Sequence, residues 1–316
     1  RMRFAGFAIL FFVTFLLFVI TLLSSFGYEP IMVPLLVLVI TGFVIESVRA
    51  LLSGKTTPTD RSHFLKTMVA VMAGAIGAYI MNCSLSISAI MAASLVGVIA
   101  VAVTKKFAVE VYCGAFVGMV SPQVLHDFTH TIFAGLIAGL VFYLARDVFN
   151  GYGGKLGTIA CSSWIIMTAI SSVKLLDTQV EIRHSGLSIM FYSLGSALLT
   201  YMLSIRFKNG PVLASSVVSL AGAVILPAVH GVSSGLLTGV VMAASFAGMS
   251  SKEKMRNELE ILLSGALLGI MFIYSANHFN GAGGRLGTLA FGSVVSARGI
   301  IFLIQKAARR RPLLSN

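Results

Sequence analysis

Apolar residues run along this chain in long blocks, separated by short connections that are polar or rich in glycine and proline. Twelve blocks stand out, at about 4–26, 31–52, 64–81, 86–103, 107–120, 129–148, 157–174, 186–204, 212–229, 235–249, 258–276 and 287–305. A helix that crosses a bilayer needs roughly 20 residues, and several blocks fall short of that. Phe107 to Val120, which stops before Ser121-Pro122, reads as a half-helix or re-entrant piece. Such pieces are tolerated at membrane depth only when they are buried in protein or line a cavity. The expected fold is an all-α polytopic membrane protein with about ten to twelve transmembrane segments. The first block has no small-residue cleavage site and another block follows at once, so it reads as a retained span.

Composition strengthens this expectation. Hydrophobic residues make up 57% of the chain and charged residues 11%, and mean hydropathy is +0.94. A water-soluble domain carries roughly twice that charged fraction. The net charge of +12 is concentrated in the short connections, where the positive-inside bias puts it. Topology therefore explains the charge better than nucleic acid does. Cys83, Cys113 and Cys161 lie in apolar surroundings without CxxC spacing and read as small core residues.

The chain also repeats itself. Phe149 to Cys161 reads FNGYGGKLGTIAC and Phe279 to Phe291 reads FNGAGGRLGTLAF, and the match runs ungapped from 116–164 onto 246–294 with 17 identities over 49 positions. Upstream, with small gaps, Ala93–Gly97 aligns with Val218–Gly222 and Tyr79 with Tyr201. The organisation read from this is two N-terminal spans (1–57), a first repeat of about five segments (58–178), a second (179–306) and a basic cytoplasmic tail (307–316). An odd number of segments per repeat implies inverted insertion about an axis in the membrane plane.

Charge tests that orientation. The connections holding Lys105-Lys106, Arg206 to Lys208 and Lys252 to Arg256 are basic, as is the C-terminus. Their counterparts, around Pro227 to Ser234, Asn82 to Ser86 and Ser121 to Asp127, contain no Lys or Arg. Lys174, Arg183 and Arg285 run mildly against the pattern. Both termini are expected to be cytoplasmic, in the bacterial inner membrane.

Candidate chemistry centres on the repeated element. Its glycines permit positive φ and close approach, and a glycine-rich turn feeding a helix start offers free N–H groups at the positive end of a dipole. Asn150, Gly153, Gly154, Lys155 and Thr158 in one copy, and Asn280, Gly283, Gly284, Arg285 and Thr288 in the other, suit an anion or carboxylate. The same glycines also let helices pack closely, and a loop cation can snorkel to a headgroup. Walker A spacing is absent, so nothing points to a nucleotide.

Other ionisable groups inside or beside the blocks are Glu110, His126, Asp127, His130 and Asp147, candidates for proton or ion coupling. His126 and His130 share a helix face at a spacing that can grip a metal, but the stretch also reads as an interfacial helix start. Glu110 follows Lys106 by four residues, which favours a helical ion pair. Glu46 with Arg49, and Arg146 with Asp147, read as anchors near span ends, while Asp147 recurs as Asn277 in the second copy. His230 and His278 read as interface residues at segment ends.

These features point to a transporter or channel for a small polar solute, most plausibly an anion or carboxylate. The expected partners are that solute and the bilayer, with no nucleic acid, cofactor or metal, and a homo-oligomer is compatible with them. Two alternatives remain: an intramembrane metal-dependent enzyme built on His126/His130, and a non-transporting subunit of a larger complex.

Overall fold

The computed structural model describes residues 2–53, 61–124, 128–171, 174–176 and 186–310. Among them the chain is helical, with one isolated bridge between Leu176 and Asn280. The helices are α1 (Met2–Tyr28), α2 (Val33–Ser53), α3 (Arg61–Tyr79), α4 (Ala89–Val103), α5 (Ala108–Gly118), α6 (Phe128–Leu144) and α7 (Lys155–Ile170), then α8 (Gly186–Tyr201), α9 (Pro211–His230), α10 (Gly235–Gly248), α11 (Glu258–Tyr274) and α12 (Arg285–Arg310). Each apolar block carries one helix. Among the described residues, six helices are long and apolar enough to cross a membrane by length and composition.

Local chemistry sets the boundaries. The block at 86–103 starts its helix late, because Ser86 has φ +55° and Ser88 accepts from Met91 N–H as the N-cap. Asn257 caps α11 by accepting from Glu260 N–H at 3.0 Å, and Glu260 accepts from Arg256 N–H at 2.8 Å. Proline starts α9, where its missing N–H costs no helix bond. After both α3 and α8 the chain widens into a single π-turn, at Ile80–Ser84 and Met202–Arg206. Each is followed by a residue with positive φ, Ser86 and then Lys208.

The expected ion pair between Lys106 and Glu110 is not formed. Lys105–Phe107 is a 3-10 turn, which breaks the α-helical i,i+4 geometry, and the Lys106 ammonium lies 5.8 Å over the Phe107 ring. Glu110 is buried in the first turn of α5. That helix has 11 residues and spans about 16 Å, short of a bilayer core.

Packing follows a matching scheme in the two halves. Helix α5 packs against α3, α4 and α6, while α10 packs against α8, α9 and α11. Between the halves α4 meets α9 and α7 meets α12. Helices α1 and α2 lean on α12. Large apolar side chains such as Phe4, Phe12, Leu23, Val69 and Phe191 remain exposed on the outside, a surface that suits lipid. The Arg3 guanidinium donates to the carbonyls of Ala50 and Leu51, tying the start of α1 to the end of α2.

The fully buried Trp164 on α7 donates its indole N–H to Val117 O at 3.0 Å, near the end of α5. Trp164→Phe leaves that carbonyl without the indole partner. The expected cost is about 1–3 kcal/mol, read as a lowered melting temperature in detergent.

Candidate functional site

The two copies of the repeated element meet inside the bundle. Helix α7 begins at Lys155, directly after Gly154 with φ +82°, and α12 begins at Arg285, directly after Gly284 with φ +85°. A Cβ on Gly157 would lie 2.6 Å from Gly287 Cα, and one on Gly287 would lie 2.5 Å from Gly157 Cα. The two helix backbones therefore touch at the third residue of each.

Each copy is held by the other half of the chain. Gly153 faces the carbonyls of Phe246 and Ala247 at the end of α10, and Gly283 faces those of Phe116 and Val117 at the end of α5. Ser251 N–H donates to Gly151 O at 2.9 Å, and Ser121 N–H donates to Gly281 O at 3.0 Å. Phe149 and Phe279 both take positive φ, +52° and +57°, a conformation uncommon outside glycine. Its recurrence makes it a property of the element.

Beside each copy lies a cavity. The first, about 270 Å³, is bounded by Asn150, Gly153, Gly154, Lys155, Met249 and the Phe116/Phe246 pair. The second, about 320 Å³, is bounded by Ser121, Gly284, Arg285, Met119 and the same two phenylalanines. The equivalences run Gly154 to Gly284, Lys155 to Arg285, Leu156 to Leu286 and Met249 to Met119. Phe116 and Phe246 are 1% exposed, with ring centroids 4.7 Å apart. Both rings line both spaces. Both volumes sit near the lower end of drug-sized pockets, so only a small molecule would fit either.

The cations differ in how they are held. Lys155 Nζ donates to Asn150 Oδ1 at 2.9 Å. Arg285 Nη2 donates to Ser275 O at 2.7 Å, while its buried Nε has no hydrogen-bond partner. An unpaired buried donor is costly. Arg146 also lines the first cavity, over the Tyr143 ring and 3.6 Å from Asp147.

Of the residues singled out from sequence, Asn150, Gly153, Gly154 and Lys155 line the first cavity, and Gly284 and Arg285 the second. Thr158 and Thr288 are fully buried and donate back to Gly154 O and Gly284 O within their own helices. Asn280 is buried, and its carbonyl accepts from Leu176 N–H. Gly283 packs against α5. Glu110, His130 and Asp147 line neither cavity, and His126 and Asp127 lie outside the described residues. Among the described residues no three of His, Cys, Asp and Glu gather as a metal site.

Glu46 is more than an anchor. Besides its ion pair with Arg49 it accepts from the Tyr152 hydroxyl, joining α2 to the first element. His278 meets Ser24 and His230 meets Tyr192. Sequence reading missed Phe116, Phe246, Met119 and Met249, although each phenylalanine and each methionine aligns with its own kind in the repeat. Identity within the repeat was the available signal. Compared with protein-family models, curated proteins and solved structures, the chain returns no match.

Proposed function

We propose that this protein moves a small polar solute, an anion or carboxylate, across the membrane along a path between two inverted repeats. The observation that carries this reading is the pair of equivalent cavities, each holding one cation of the repeated element, with Phe116 and Phe246 as their common wall. A solute would sit against Lys155 in one cavity and Arg285 in the other, and the aromatic pair would have to part between them. Inverted-repeat transporters alternate around a shared interface in this way. A single Lys or Arg in a low-dielectric pocket favours a negative partner strongly, because few water molecules compete for it. In this reading the protein lies in the bacterial cytoplasmic membrane with both termini inside. Asp147, ion-paired with the cavity residue Arg146, is the acidic group best placed to couple ion movement.

The reading is tested with Lys155→Gln and Arg285→Gln in proteoliposomes, using radiolabelled inorganic anions and short carboxylates. Each variant should lose roughly tenfold or more in uptake, the scale of one lost charged hydrogen bond. Elution as a monodisperse species would show that both variants fold. Wild-type uptake rates in both variants would refute the anion path.

A further inference from the structure

At one end of the bundle, apart from both cavities, five cations converge on a third. This space of about 440 Å³ is lined by Arg49 of α2, Arg256 of the connection before α11, and Arg298, Lys306 and Arg309 of α12, with Phe302 as an apolar wall. Residues 298, 302, 306 and 309 recur at three- and four-residue steps, which puts them on one face of α12. The Arg49 guanidinium lies 3.9 Å over the Phe302 ring, which fixes it at the wall of the cavity.

Compensation is incomplete. Glu46 pairs with Arg49, and Glu260 Oε2 stands 3.6 Å from Arg298 Nη1. That Nη1 is buried and has no hydrogen-bond partner. Among the described residues no carboxylate forms an ion pair with the side chain of Arg256, Lys306 or Arg309, and none lines the cavity. Arg256, Lys306 and Arg309 are solvent-exposed, while the Arg298 side chain is only 12% exposed, so α2, α12 and the connection before α11 bring exposed cations and one largely buried cation around the same concave space. Like charges focused in a concavity raise the local concentration of anions. Guanidinium groups match the oxygens of a phosphate bidentately.

We propose that this cavity is a binding site for a phosphate group, carried either by the headgroup of an anionic lipid or by a soluble phosphate. The first source is favoured by Leu52 of α2, 80% exposed as an apolar neighbour for an acyl chain, in an adjoining cavity that shares Arg49 and Arg298 and also contains Glu46 and Glu253. The second source needs only the cations. The site is independent of the solute path, and its readout does not require transport.

The full-length protein is reconstituted in phosphatidylcholine nanodiscs, and two probes are compared: phosphatidylglycerol mixed into the bilayer, and inorganic pyrophosphate added to the buffer. Binding is followed by native mass spectrometry and by thermal shift. The test variant is R256Q/K306Q, and the control is K105Q/K106Q, whose cations are likewise exposed but lie outside the cavity. Wild type and control should bind at least one probe, with binding to R256Q/K306Q weaker by roughly tenfold or more, as loss of charge-assisted contacts implies. Phosphatidylglycerol alone would assign the headgroup, and pyrophosphate alone the soluble ligand. The proposal fails if neither probe binds wild type, or if R256Q/K306Q binds as tightly as K105Q/K106Q.

Discussion

Gly157→Ala and Gly287→Ala are each expected to abolish recovery of monodisperse protein. A Cβ at either position lands within 2.6 Å of the other helix's Cα, and backbone cannot move aside as a flexible side chain can. The neighbouring Gly154 is worse placed, since a Cβ there would come within 2.3 Å of Phe291 N at φ +82°. Left-handed backbone adds a further cost of about 1–2 kcal/mol for any L-residue. Gly195 supplies the contrast. It lies in α8, exposed, with no atom within 4 Å of an added Cβ. Gly195→Ala should therefore be neutral or stabilising by up to about 1 kcal/mol through helix propensity. Fluorescence-detected size exclusion and thermal melting compare the variants side by side, and equal stability of Gly157→Ala and Gly195→Ala would show that the crossing is not close.

The second large effect is expected at the aromatic pair. Phe116→Ala and Phe246→Ala, singly and together, remove the two rings that line both cavities. If solute passes between them, downhill flux of small anions in proteoliposomes should rise, roughly tenfold for the pair, while discrimination among anions falls. A buried Phe→Ala change costs about 3–5 kcal/mol, so Phe116→Leu and Phe246→Leu provide milder versions with the same expected direction. Flux that stays at the wild-type level in folded alanine and leucine variants would mean that the cavities do not communicate by this route.

The twelve helices were legible in the sequence because apolar blocks and polar punctuation are written locally. Even the offsets have local causes. Ser86 and Ser88 delay α4, and Gly154 and Gly284 end their turns so that the cations themselves begin α7 and α12. The repeated element was legible as a candidate, and its cations do line cavities. What stayed hidden is what depends on contacts between distant residues. Nothing about Phe116 in isolation says that it faces Phe246. Arg49 read as an anchor with Glu46, and Arg256 as part of a basic connection, because their convergence with Arg298 and Lys306 needs α2, α12 and a connection to be packed first. The Lys106–Glu110 pairing failed for a local reason, since the 3-10 turn at Lys105–Phe107 changes the helical phase between the two residues.

The exchange of contacts between the halves bears on how the chain matures. Gly153 N–H donates to the Ser250 hydroxyl, which lies 97 residues further along. When the ribosome has released the first element, the strut that will hold it has yet to be made. During synthesis that element must wait in the bilayer with its helix start uncovered, and the first half can lock only after the second arrives. Assembly of this kind is slow and sensitive to interruption. Translation arrested between the halves would therefore leave a species poised for degradation, and two separately synthesised halves would need each other to survive.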